Sequence, residues 1–309
     1  MIKVREYILL ILKGMTMGAA DVVPGVSGGT IALITGIYRE LIDSLKSIDI
    51  EAIRLLIRFR FRRFWSHING TFLLLLFTGI LISVFSLARL MKLLLQEYPI
   101  YIWSFFFGLI IASAVLVIRS IKGWSIKEYL FLFSGIVIMV LITRFTPADT
   151  TEEYWFIFIA GAIAICAMIL PGISGAFILL ILGKYQFILI AVSEFNIPVL
   201  LVFGLGIVSG LLSFSRFLSF LLSRYYKITI AMLAGFIVGS LSKIWPWKET
   251  ISTRINSHGE LIPFIQKNVL PGQYSLVNNA DHHLLPSILL MVLAICIVIL
   301  LDRIGKKVS

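Results

Sequence analysis

Two short turns carry the residue types that could hold an anion. The first runs Pro24-Gly25 to Ser27-Gly28-Gly29-Thr30, and the second runs Pro171-Gly172 to Ser174-Gly175. Both lie inside apolar sequence. Proline lacks an N–H and glycine has no Cβ to enforce helix geometry, so a helix breaks at each turn. Each turn then opens a new helix, whose first N–H groups and positive dipole end attract negative charge. Ser27, Thr30 and Ser174 add hydroxyl donors. Arg89 and Arg216 stand within apolar runs, near their ends. Arginine in a membrane span is costly and normally faces an interior or a wet cavity, and its planar cation suits phosphate. The competing reading is snorkelling to the nearby interface. Asp21 precedes the first turn. It could carry a coupling proton or accept hydrogen bonds from the broken backbone.

Nothing in the chain arranges a catalytic or metal centre. Cys166 and Cys296 sit in apolar runs without ligand spacing and read as packing residues. His67, His258, His282 and His283 all fall in expected loops. A lipid phosphatase usually needs a nucleophile with its base or a metal cluster, so no enzyme, cofactor or metal is expected.

Composition sets the surroundings. Of 309 residues, 59% are hydrophobic and 14% charged, and the mean hydropathy is +1.01, as in polytopic helical membrane proteins. A net charge of +11 would suit nucleic acid, but the basic residues lie between apolar runs, as in a chain oriented by charge.

The turns belong to an internal repeat. Gly14, Pro24, Gly25, Ser27, Gly28, Gly36 and Tyr38 recur 147 positions later as Gly161, Pro171, Gly172, Ser174, Gly175, Gly183 and Tyr185. Gly79, Arg89, Tyr98 and Gly108 recur 127 positions later as Gly206, Arg216, Tyr225 and Gly235. Residues 1–20, with Lys3, Arg5 and Gly18-Ala19-Ala20, resemble a signal peptide. Their recurrence inside the chain argues against that.

The repeat predicts an all-α polytopic membrane protein of two inverted repeats, each a broken or re-entrant helical hairpin plus three transmembrane helices. The first repeat covers 1–146. Its broken element has arms at 4–20 and 28–43, and its spans lie at 71–95, 99–119 and 127–145. The second covers 147–309, with a broken element at 154–191 and spans at 197–222, 227–245 and 285–302. Three spans after each hairpin invert the second repeat. Basic loops then fall on the cytoplasmic side with both termini. Segment 46–69, with five arginines among Phe and Trp, reads as an amphipathic surface segment or as a basic loop. Residues 246–283 read as a long polar extracytoplasmic loop. Arg39, Glu40 and Lys184 read as interfacial, and Tyr38 and Tyr185 as aromatic-belt residues. Inverted repeats with discontinuous helices are the signature of secondary transporters, with the ligand near mid-membrane. A small soluble anion is one substrate class such a protein could carry.

The stretches MGAADVVPGVSGGTIALITGIY and AMILPGISGAFILLILGKY resemble the bacterial undecaprenyl-phosphate (polyprenyl-phosphate) translocase family. The resemblance covers nearly the whole chain apart from 46–69 and 246–283. It implies a bacterial plasma-membrane protein whose partner is a polyprenyl-phosphate lipid, returned to the inner leaflet for reuse in surface-polysaccharide synthesis. On this reading Gly25, Ser27, Gly28, Gly29, Thr30, Gly172, Ser174 and Gly175 cradle the phosphate. Arg89 receives it, Arg216 hands it on, and Asp21 is a candidate for proton coupling.

Overall fold

The computed structural model describes residues 2–22, 27–144, 150–255, 261–278 and 281–308. Pro24 and Gly25 lie outside them. Helix dominates, as the apolar runs require, because backbone N–H and C=O groups in lipid must be satisfied within the chain.

The first half contains α1 (Ile2–Val22), α2 (Gly28–Ile34), α3 (Tyr38–Lys46), α4 (Ile50–Ile57), α5 (Phe61–His67), α6 (Gly70–Glu97), α7 (Pro99–Ser120) and α8 (Ile126–Arg144). The second contains α9 (Tyr154–Ile169), α10 (Gly175–Ile181), α11 (Tyr185–Ser193), α12 (Ile197–Arg224) and α13 (Tyr226–Ser240). Strands β1 (Lys248–Ile255) and β2 (Leu261–Asn268), then α14 (Pro271–Asn278) and α15 (Leu284–Val308), complete it. Helices α7, α8 and α12 are each long and apolar enough to cross a membrane. Large apolar side chains such as Phe85, Leu130, Phe133, Leu201 and Leu205 are exposed on the helix surfaces. The chain is a multi-pass membrane protein.

Each hairpin has a second break that was not expected. The arm predicted at 28–43 is two helices, α2 and α3, separated at Gly36, whose φ is +75°. The matching Gly183, at φ +66°, separates α10 from α11, and those two axes bend by 111°. A seven-residue helix such as α2 or α10 rises only about 10 Å, a third of the hydrocarbon thickness. At the first break of the second hairpin, Leu170 is extended (φ −71°, ψ 132°), as a residue before proline is driven to be. Gly172 follows at φ +84°.

Helix α13 lies at the centre of the main core, with Ala231, Ala234 and Ile237 fully buried. It packs on α7 and α8, while α7 packs on α15, α1 on α6 and α9 on α12. Small residues allow these close crossings. A Cβ added at Gly14 would strike the Leu76 carbonyl, and one at Gly79 the Ile11 carbonyl. In the second half, a Cβ at Gly161 would strike the Phe203 carbonyl and one at Gly206 the Phe158 carbonyl. Cys166 directs its sulfur toward the Gly210 carbonyl, as packing would have it. Cys296 is exposed on α15 instead.

Two expected loops have structure. Residues 46–69 include the helical hairpin α4–α5, with Ile50, Ile57, Phe59 and Phe61 exposed beside arginines, in line with the amphipathic reading. Asp49 caps α4 by accepting from the Ala52 N–H and pairs with His67 at 3.0 Å, so His67 ends a helix and does not lie in a loop. The polar stretch 246–283 departs from the all-α expectation. β1 and β2 pair antiparallel there, and α14 follows. Thr and Ile in β1 favour a strand, a preference that overall polarity conceals. Trp245 Nε1 donates to the Val269 carbonyl and Trp247 Nε1 to the His282 carbonyl, tying this module to the helices.

Candidate functional site

The turn before α2 meets the turn after α9. Ser27 Oγ caps α2 by accepting from the Gly29 N–H at 3.1 Å, and it donates to the Leu170 carbonyl at 3.2 Å. The Gly172 N–H donates to Thr30 Oγ1 at 2.9 Å. Tyr38 donates its hydroxyl to the Ile169 carbonyl at 3.2 Å. Ser27, Thr30 and Tyr38 are 1%, 0% and 2% exposed. Tyr38 is therefore no belt residue. It satisfies a carbonyl at the C-terminal end of α9, a group that a buried helix end cannot leave unpaired. A Cβ on Gly29 would lie 2.7 Å from that same carbonyl, so a glycine is needed for the two turns to close on one another.

The two turns differ in electrostatics. Asp21 Oδ1 accepts from the Gly28 N–H at 2.7 Å, placing a carboxylate at the start of α2. A Cβ on Gly28 would collide with that carboxylate. The Thr30 N–H is taken by the Ser27 carbonyl at 2.9 Å. The first turn thus has its own anion in place. At the second turn Met168 occupies the position matching Asp21, and Ser174 makes no capping hydrogen bond with its side chain. Among the described residues nothing accepts from the N–H groups of Gly175, Ala176 and Phe177. The open donors lie on this side, where a phosphate could be held by backbone N–H groups.

The remaining expected residues are placed less centrally. Gly25 lies outside the described residues, as does the side chain of Arg89, whose backbone belongs to α6. Arg216 is exposed on α12 and donates to the Leu212 carbonyl at 3.2 Å. No described hydrogen bond or ion pair joins it to either turn. Lys184, expected at the interface, is 2% exposed and donates to the Thr150 carbonyl at 2.8 Å beneath Phe156 and Phe187. Sequence reading also passed over Lys13. Its ammonium donates to the Thr35 carbonyl at 2.9 Å, just past the end of α2. A lysine midway through an apolar run was the available signal.

An open cleft of about 520 Å³ lies beside α3, lined in part by Arg39, Glu40, Asp43 and His67. Asp43 accepts from Ser219 of α12 at 2.7 Å, so one cleft wall bridges the two halves of the chain. Arg39 and Glu40 are exposed there.

A family model described as VCA0040-like, undecaprenyl phosphate translocase-like, matches residues 17–262, which include both turns. The chain belongs to this family. A relative in Vibrio cholerae serotype O1, named polyprenyl-phosphate transporter, is 46% identical over 305 residues, covering 99% of each chain. A relative of the same name in Staphylococcus aureus is 37% identical over 254 residues, covering 76% of this chain and 85% of its own. No solved structure matches the chain. The match to the family thus takes in both turns and the whole second hairpin, and the Vibrio relative extends the likeness over most of α1 and to α15.

Proposed function

We propose that this protein carries polyprenyl phosphate, with undecaprenyl phosphate as its main substrate, from the outer to the inner leaflet of the bacterial plasma membrane. There the lipid re-enters cell-envelope polysaccharide synthesis. The observation that carries the reading is the docking of two broken helices, Thr30 on Gly172 and Ser27 on Leu170, in a chain of this family. The names of both relatives agree with it.

The physics is that of a charge crossing oil. The polyprenyl tail can remain in lipid, and only the phosphate has to pass the bilayer centre, where a bare charge is expensive. Backbone N–H groups at the second turn, with Ser174 beside them, replace part of its hydration. The process makes and breaks no covalent bond, so no catalytic residue is required.

The halves act as inverted repeats, 1–146 and 147–309, with both termini cytoplasmic and each hairpin re-entering the membrane. Matching crossings at Gly14/Gly79 and Gly161/Gly206 support the repeat, as do the matching breaks at Gly36 and Gly183. The repeats rock about the docked turns and expose the site to one leaflet at a time. Arg89 and Arg216 serve the two ends of the path.

Competition distinguishes this substrate from a small soluble anion. In detergent, a short-chain polyprenyl phosphate should bind the purified protein, and inorganic phosphate should not displace it at comparable concentration. Equal displacement by inorganic phosphate would favour the soluble-anion carrier.

A further inference from the structure

Lys243 and Lys248 flank the turn from α13 into β1. Lys248 Nζ donates to the Lys243 carbonyl at 2.8 Å, which draws the two residues together. Its ammonium lies 4.1 Å from the centre of the Trp103 ring, and that of Lys243 lies 4.4 Å from the centre of the Phe177 ring. An aromatic face attracts a cation but supplies no counter-charge. Among the described residues neither lysine has a carboxylate partner. Charges drawn away from water are normally paired with an opposite charge, so two neighbouring half-buried ammonium groups with no described carboxylate partner suit an anion. Burial, reinforced by the charge of Lys243, pushes the Lys248 ammonium down to about 7.

The surroundings hold this pair in place. Asn268 of β2 donates to the Ser242 carbonyl at 2.6 Å, and Trp245 Nε1 donates to the Val269 carbonyl at 2.8 Å. The β-hairpin therefore braces the turn that bears both lysines. Phe177 lies in the first turn of α10, so Lys243 stands at the margin of the turn whose N–H groups are open.

We propose that Lys243 and Lys248 form a capture site for a phosphate monoester, the lipid headgroup on its way to the docked turns. The proposal rests on the carrier reading. A phosphomonoester carries nearly two negative charges near neutral pH, matching the Lys243 cation and holding the proton on Lys248, with no described carboxylate between them. Trp103 and Phe177 give the lysine pair apolar neighbours against which the first isoprene units can lie.

The test uses the full-length protein in proteoliposomes with a short-chain polyprenyl phosphate. The K243Q/K248Q variant should need at least about tenfold more lipid for half-maximal rate, because a buried charge contact is removed. The K243R/K248R variant should retain most of the apparent affinity. A glutamine pair that matches the unsubstituted protein overturns the site. Equal loss in both pairs assigns the lysines to packing and overturns it too. A second arm measures acylation of Lys248 by mass spectrometry. Protection by the short-chain polyprenyl phosphate alone assigns the site to the lipid. Protection by inorganic phosphate as well assigns it to the phosphate group itself, and protection by neither overturns it. If the lipid protects Lys248 but the unsubstituted protein moves none of it, the carrier reading fails and the capture site stands.

Discussion

At the scale of single residues, a few hydrogen bonds join the docked turns. Thr30→Val keeps the shape but removes the acceptor of the Gly172 N–H. An unpaired buried donor costs about 1–3 kcal/mol, so this variant should melt earlier and transport more slowly. A thermal-shift measurement in detergent checks the first part. A melting temperature equal to that of the parent would contradict the bond's importance. Asp21→Ala strands the Gly28 N–H in the same way, while Asp21→Asn keeps an acceptor, so the alanine variant should be the less stable of the two. If Asp21 also carries the coupling proton, Asp21→Asn should transport without responding to a pH gradient. The residue types at the turns were legible in the sequence, but their partners were not. Ser27 and Leu170 are 143 positions apart, and no local pattern reports such a pairing. Tyr38 shows the same limit. An aromatic at the end of an apolar run looks alike whether it meets lipid headgroups or a buried carbonyl.

At the scale of elements, the long helices were readable because unbroken apolar runs permit little else in a membrane. The expected spans 71–95, 99–119 and 127–145 became Gly70–Glu97, Pro99–Ser120 and Ile126–Arg144. The breaks at Gly36 and Gly183 were missed because each glycine was read as part of a continuous arm, although polar residues follow closely at Arg39-Glu40 and at Lys184; both glycines take a positive φ. The β-hairpin was missed because polarity was read and strand propensity was not. Two predictions belong at this scale. Ser27 is buried and Ser174 half-buried beside open N–H groups, so cysteine at 174 should react with a thiol reagent faster than cysteine at 27. Equal rates would contradict the unequal turns. The other concerns α4. The Ala52 N–H, then the His67 side chain, hold the Asp49 carboxyl below the usual carboxylate range. A carboxyl with a lowered pKa in the folded state stabilises above its unfolded pKa, and that support is lost as pH falls through the folded value. Amide exchange in 50–57, corrected for its intrinsic pH dependence, should therefore accelerate in acid, and Asp49→Ala should remove the acid dependence.

At the scale of the whole molecule, the two proposed halves share a sequence repeat and differ at their turns. One turn is closed by Asp21, and the other is open and edged by Lys243. Such asymmetry suits a carrier that must release its cargo as well as bind it. The most direct measurement follows a fluorescent short-chain polyprenyl phosphate in both leaflets of a proteoliposome, with no ion gradient, so that the carrier exchanges lipid in both directions, and with a membrane-impermeant reductant that bleaches the label irreversibly added outside. Vesicles containing the protein should lose nearly all the signal, and vesicles containing the Thr30→Val variant should lose it more slowly. A protected inner-leaflet fraction as large as in protein-free vesicles would contradict the account.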